Sequence, residues 1–140
     1  MQGKNLDAAF IAGKSSTQAR ADPMSSESEF SARADAVLAA IGAALDTASD
    51  AGDVDLDWAL NDGVLTIDCG RGGKLIVNRH VPNREIWVAA KSGGFHFRAA
   101  GGTWRDSRGG EELGAALVRL LRDQAGTSVD LPALPSPPAA

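Results

Sequence analysis

The stretch from Gly63 to Phe97 constrains this chain more than any other feature, because it holds four apolar runs, each too short for a helix and each closed by turn residues. The runs are Gly63-Val-Leu-Thr-Ile-Asp-Cys69, Lys74-Leu-Ile-Val-Asn78, Glu85-Ile-Trp-Val-Ala89 and Gly94-Phe-His-Phe-Arg98. They are rich in β-branched and aromatic residues, which suit a pleated surface. Arg71-Gly72-Gly73, Pro82-Asn83-Arg84 and Ser92-Gly93-Gly94 connect them, residue types that tight turns require. The gaps leave no room for helical crossovers, so the strands are joined by hairpins and the sheet is antiparallel. Everything before and after must cover that sheet, extend it, or use the face left open.

Asp53-Val-Asp-Leu-Asp-Trp-Ala-Leu60 alternates strictly. As a strand it puts Val54, Leu56, Trp58 and Leu60 on one side and Asp53, Asp55 and Asp57 on the other. Asn61-Asp62-Gly63 is then a hairpin turn, its Asp-Gly step suited to positive φ, and this strand becomes a sheet edge. Carboxylates there also discourage edge-to-edge pairing. In the central strand Ile86 and Val88 share one face and Trp87 and Ala89 the other, so Trp87 looks outward if the aliphatic pair faces the helices. Thr103-Trp104-Arg105 forms a short last strand.

Two helices flank the sheet. Ser26-Glu27-Ser28-Glu29 has the capping-box pattern and opens the first. Phe30, Ala34, Val37, Leu38, Ile41 and Leu45 make one apolar stripe along it, with Asp35, Asp46 and Asp50 opposite, and Ala51-Gly52 ends it. Ser107 is expected to cap the second helix, with Glu111 and Glu112 in its first turn, Arg119 and Arg122 in its last, and Leu113, Leu117, Leu120 and Leu121 on its apolar face. Gly126 closes it. The resulting class is α+β, a two-layer sandwich with two helices on one face of a five- to six-stranded antiparallel sheet. Residues 1–23 read as a disordered leader or a cloning scar, 24–128 as the domain, and the Pro-rich 129–140 as an irregular tail, mobile at its end.

Chemistry is narrowed first by what is missing. Cys69 is the only cysteine in 140 residues, which excludes a disulfide framework and thiolate metal sites, and its place ending an apolar strand reads as a small buried residue. No phosphate-binding glycine motif or nucleophile–histidine arrangement stands out, and His80 and His96 read as surface histidines. No apolar run approaches the length of a membrane span, and a net charge of -4 argues against nucleic acid.

The charges themselves are segregated. From Ala34 to Gly70 there is no Lys or Arg, and the interval carries Asp35, Asp46, Asp50, Asp53, Asp55, Asp57, Asp62 and Asp68. The next stretch reverses sign, with Arg71, Lys74, Arg79, Arg84, Lys91, Arg98, Arg105 and Arg108. Asp46, Asp50, Asp53, Asp55 and Asp57 form the one cluster with metal-ligand character. Carboxylates alone select hard cations such as iron, manganese, calcium or magnesium. Residues two apart on a strand are separated by about 7 Å, which implies weak, exchangeable binding and no closed cage. The same patch can dock a basic partner in a salt-sensitive way.

With these residues placed, the chain resembles the bacterial frataxins. The resemblance covers Ser28 to about Gly126, through Ser28-Glu29-Phe30, the Asp46 to Asp57 acidic segment, Gly63-Val-Leu-Thr-Ile67, Lys74-Leu-Ile-Val-Asn-Arg79, Ile86-Trp-Val-Ala89, Lys91-Ser-Gly-Gly-Phe-His-Phe97 and the Trp104 strand. It implies the same helix–sheet sandwich and a cytoplasmic, non-enzymatic protein of iron–sulfur cluster assembly. Iron, Fe2+ or Fe3+, would bind weakly along a ridge of Asp46, Asp50, Asp53, Asp55 and Asp57, with Asp35 and Glu29 further up the helix. The ridge would dock on the cysteine desulfurase and tune sulfur supply to the scaffold protein. Trp87 and Asn78 match the family's exposed sheet surface, where desulfurase or scaffold is contacted. The resemblance also leaves a second reading, a ferroxidase and iron store working as an iron-induced oligomer rather than as a monomer. Relatives often carry more acids where this chain has Gly42-Ala-Ala44 and Thr47-Ala-Ser49, so the ridge here is thinner. In some frataxins the tail packs between the helices, and Val129, Leu131 and Leu134 supply the groups for that.

Overall fold

Pro23 opens the first helix. The computed structural model describes residues 23–52 and 56–138, so the leader up to residue 22 and the Asp53, Val54 and Asp55 positions lie outside the described residues. Helix α1 (Pro23–Asp50) starts ahead of the expected Ser26 cap. Proline suits that place, because its φ is already helical and the amide it lacks has no partner in a first turn. The predicted stripe holds: Phe30, Ala34, Val37, Leu38, Ile41 and Leu45 are all buried.

Six strands follow in a meander: β1 (Asp57–Asn61), β2 (Val64–Asp68), β3 (Lys74–His80), β4 (Glu85–Ala90), β5 (Gly93–Ala100) and β6 (Thr103–Asp106). Each pairs antiparallel with its chain neighbours, so β1 and β6 are the edges. A short 3-10 turn, Gly70–Gly72, joins β2 to β3. At the β1–β2 hairpin Asp62 and Gly63 both take positive φ, 50° and 79°, the geometry that the Asp-Gly step anticipates. Alternation then sorts the sheet. Leu65, Ile67, Leu75, Val77, Ile86, Val88, Phe97 and Trp104 gather on the covered face, with Cys69 beside them. Leu60 keeps that parity, yet it is 39% exposed. It sits next to the turn on an edge strand, with no strand beyond it to pack on.

The second helix starts later than expected. Residues 107–112 fold back on β6 instead: the Ser107 amide donates to the His96 carbonyl, Gly110 to Asp106, and Asp106 to Glu111. Arg105 and Glu112 form a further bridge. Helix α2 (Leu113–Ala125) is therefore capped by Glu112, whose carboxylate accepts from the amides of Gly114 and Ala115, and not by Ser107. Arg119 is not in the last turn; it reaches back to Glu111 with a two-nitrogen grip at 2.9 and 3.2 Å. Gly126 ends the helix at φ 68° as expected.

Two devices lock the layers together. The Gln124 carboxamide accepts from the Lys91 amide and donates to the Gly72 carbonyl, tying α2 to two turns of the sheet. A Cβ at Gly72 would lie 1.7 Å from the Gln124 carbonyl oxygen, so glycine alone fits there. The segment after Ser128 has no regular structure but is packed: Val129 is buried, and Leu131 and Leu134 lie against the core. The Trp104 indole N–H donates to the Pro135 carbonyl at 2.9 Å.

Candidate functional site

The acidic edge lies where the end of α1 meets β1. Asp46 and Asp50 occupy the last turns of the helix and Asp57 begins the strand, and all three are exposed. Glu29 is exposed near the other end of the helix. Asp53 and Asp55 lie outside the described residues. Asp35 is committed elsewhere, as an ion pair with Arg79, whose guanidinium also approaches Asp62 at 3.7 Å. This clamp joins α1 to the β1–β2 turn. Among the described residues no three His, Cys, Asp or Glu side chains converge on one point, so the edge is an open row of oxygen donors.

Asp46 has a partner the sequence did not suggest. Trp58, on the covered side of β1, lays its indole over α1 and donates its N–H to Asp46 Oδ1 at 2.8 Å. Gly42 makes the room: a Cβ there would stand 2.8 to 3.0 Å from three atoms of the ring. The acid-poor Gly42-Ala-Ala44 segment is thus the seat of a tryptophan.

Among the described residues no helix covers the other face of the sheet, and Trp87 lies on it as parity predicts. Register places Asn78, Trp87 and His96 in one row across β3, β4 and β5. His80 stacks on one face of the indole, with ring centroids 3.7 Å apart and planes at 8°. His96 stacks on the other at 4.4 Å and 10°. The Trp87 N–H donates to Glu85 Oε1 at 2.8 Å, and Arg98 donates to Glu85 Oε2 at 2.7 Å. Glu85 is 3% exposed, the one buried charged residue among those described. Burial pushes its carboxyl up, but the bonds from Trp87 and Arg98 outweigh that and hold it below the ordinary glutamate value. Asn78 spends its amide N–H on the Arg79 carbonyl. Cys69 is buried, and burial with the neighbouring Asp68 charge raises its thiol pKa.

Sequence reading thus located Trp87 and Asn78 but took the two histidines as isolated surface residues, and passed over Glu85 and Arg98. One signal was available: a two-residue turn at Lys91-Ser92 fixes the β4–β5 register and sets Trp87 opposite His96.

Comparison with known proteins places these features. Residues 23–127 match the model of the frataxin-like domain. The iron–sulfur cluster assembly protein CyaY of Burkholderia mallei is 46% identical over 104 residues, 74% of this chain and 95% of that protein. The frataxin of Psychromonas ingrahamii superposes with a TM-score of 0.68 at 29% identity, over 76% of this chain and 97% of that one. A trimeric frataxin of the yeast Saccharomyces cerevisiae, complexed with ferrous iron, gives 0.60 at 29% identity, over 68% and 87%. On the domain match over residues 23–127 and the identity to CyaY, with an architecture of two helices and a six-stranded sheet that superposes on both frataxin structures, this protein belongs to the frataxin family.

Proposed function

We propose that this chain is a non-enzymatic iron–sulfur cluster assembly protein of the bacterial cytoplasm. It binds iron weakly at the acidic edge as cargo, docks that edge on the cysteine desulfurase, and tunes sulfur transfer to the scaffold protein. The observation that carries the reading is that Asp46, Asp50 and Asp57 stand exposed along one edge with no Lys or Arg partner among the described residues. Carboxylates free of a Lys or Arg partner supply hard oxygen donors, Asp46 keeping one oxygen on the Trp58 N–H, and spread along an edge they favour exchange over tight retention. They also attract a basic surface, with an association rate that salt suppresses. In this reading Asp53 and Asp55 extend the row, Glu29 and Asp35 lie at its far end, and Trp87 with Asn78 contributes a second contact on the sheet.

The test is an anaerobic titration of isotope-labelled protein with cysteine desulfurase at low and high salt, following amide shifts and sulfide output together. Shifts confined to Asp46 to Asp57 that vanish with salt, with altered sulfide output, support the proposal. Replacing Asp53, Asp55 and Asp57 together by Asn should leave folding intact while abolishing both effects. Unchanged sulfide output and no shifts would sink the docking role, and iron oxidation by an oligomer would then be measured directly.

A further inference from the structure

The two edges of the sheet are treated differently. On β6 the chain turns back: the Asp106 amide donates to the Glu111 carbonyl and Arg105 bridges to Glu112, so residues 107–112 cover that edge. β1 pairs with β2 alone and has no such cover among the described residues. An uncovered edge strand presents a row of unpaired main-chain groups that another strand can match.

Hairpin geometry identifies these groups. A two-residue loop is closed by a pair that exchanges both of its bonds, here Asn61 with Val64, and bonded pairs recur at every second residue. Asp57, Ala59 and Asn61 therefore bond to β2, while Trp58 and Leu60 point their N–H and C=O groups away from the sheet. No other main-chain bond involves Trp58 or Leu60 among the described residues. The strand also lacks the common defences of an edge: it holds no proline, lysine or bulge, and its one charge, Asp57, stands at its end.

The side chains agree with the backbone. Leu60, on the covered side, is 39% exposed for want of a neighbouring strand. Asp57-Trp58-Ala59-Leu60-Asn61 matches itself when run antiparallel about Ala59. In that register Trp58 lies opposite Leu60 of the second copy and Leu60 opposite its Trp58, so all the outward main-chain groups are paired. Leu60 then gains an aromatic cross-strand neighbour on the covered side. Asp57 falls opposite Asn61, whose amide can donate to it, and no carboxylate of one strand faces a carboxylate of the other.

We infer that β1 is a self-association surface, and that its partner is a second copy of this chain, joined edge to edge about a twofold axis at Ala59. Self-pairing of β1 needs no iron and no other protein. Five residues a side make a small interface, so the dimer is weak and concentration-dependent. Each copy brings an exposed Asp46, Asp50 and Asp57 toward those of the other, so salt, which screens them, strengthens the association. A basic partner at the same edge shows the opposite sign.

Sedimentation velocity of the full chain over a rising concentration series, at low and high salt, reads the association. The average mass should climb toward twice that of the monomer, more steeply in high salt. A chain that stays monomeric up to roughly millimolar concentration in high salt overturns the inference, and association that salt weakens overturns the pairing of two acidic edges. Leu60→Pro removes one outward N–H and leaves the β1–β2 ladder whole, a position where an edge strand accepts proline. Leu60→Glu changes only an exposed side chain. Each should weaken association at least about tenfold with the circular dichroism of the fold retained, and undiminished association in either refutes the assignment. Ala59→Cys tests the register: opposed Cα atoms of a non-bonded pair lie about 4.5 Å apart, within disulfide reach, so glutathione disulfide should cross-link this variant into a dimer. Asn61→Cys, also exposed, would lie about 13 Å from its own copy, from four strand positions of about 3.3 Å each, and should not cross-link. Equal cross-linking of both variants, or of neither, overturns the twofold pairing. Cys69 is buried, so the unsubstituted chain is the control and should not cross-link.

Discussion

Gly42→Ala should destabilise this protein although the residue sits inside a helix, where the exchange ordinarily helps. Helical propensity favours alanine by about 0.8–1.0 kcal/mol. Against that, the new methyl would stand 2.8 to 3.0 Å from Cη2, Cζ3 and Cζ2 of Trp58, closer than real Cβ contacts come. The helix backbone cannot yield, so the indole must swing off. It then loses its bond to the Asp46 carboxylate, worth about 1–2 kcal/mol for an exposed bond to a charged group. It also returns part of a half-buried ring to water, roughly 50–80 Å2 at about 25 cal/mol per Å2, or another 1–2 kcal/mol. The losses exceed the gain, for a net destabilisation of about 1–3 kcal/mol. In a Trp58→Ala background the obstacle is gone, and the same substitution should stabilise by about 1 kcal/mol. Urea unfolding of the four proteins closes a double-mutant cycle with a coupling of roughly 2–4 kcal/mol. The Trp58 indole N–H resonance should move in Gly42→Ala while those of Trp87 and Trp104 stay. If Gly42→Ala stabilises both backgrounds equally, the seat described for Trp58 does not exist.

Buried groups give three further expected outcomes. Truncation after Ser128 removes Val129, Leu131, Leu134 and the carbonyl that accepts the Trp104 N–H; the lost burial and the orphaned donor together should cost about 3–5 kcal/mol, and a thermal midpoint unchanged by the truncation would contradict the packing of the tail. Cys69, buried and with its thiol pKa raised, should react with iodoacetamide near pH 8 at least about tenfold more slowly in the native protein than in urea, and equal rates would mean that the thiol is open to solvent. Because the Glu85 carboxyl is held below its ordinary value, its contribution is complete above that value and is lost as pH falls through the folded one; the stability advantage of the wild type over Glu85→Gln should therefore shrink between roughly pH 6 and pH 3, and an advantage that grows on acidification would reverse the sign of the argument.

Local chemistry made much of the fold legible. The α1 stripe follows from helical spacing, the β1–β2 hairpin from Asp62-Gly63, and the outward Trp87 from parity in β4, all properties of adjacent residues. What escaped depends on residues far apart. Ser107 is as good a helix cap as Glu112 in isolation; only the return of residues 107–112 along β6 decides between them. Gly42 reads as a weak point in a helix until Trp58 arrives from the next element. His80 and His96 are single histidines in sequence and become one assembly when three strands align them about Trp87. Of the ridge, the exposure of Asp46, Asp50 and Asp57 was legible from phase and alternation. The commitment of Asp35 to Arg79 was not, because the two meet only when α1 crosses β3.

The placement of charge makes the two sides of the sheet physically independent. The acidic edge lies at α1 and β1, while Arg98 and Arg105 stand on β5 and β6, at the far side of the sheet. Neighbouring strands are about 4.8 Å apart, so the two regions are separated by roughly 20 Å or more. Charges exposed to water are screened within about 8 Å at physiological ionic strength. Neither region therefore feels the other appreciably, and a basic partner on one edge leaves the field at the other nearly unchanged. The net charge of -4 conceals this, because it sums two surfaces that act separately. In the proposed reading a basic partner on the acidic edge meets a field that salt screens, and the arginines at the far side of the sheet leave that field nearly unchanged. Coupling between them, where it exists, must then travel through the rigid elements that connect the sites: the Asp35–Arg79 clamp from α1 to β3, and the β3–β4–β5 ladder that carries His80, Trp87 and His96.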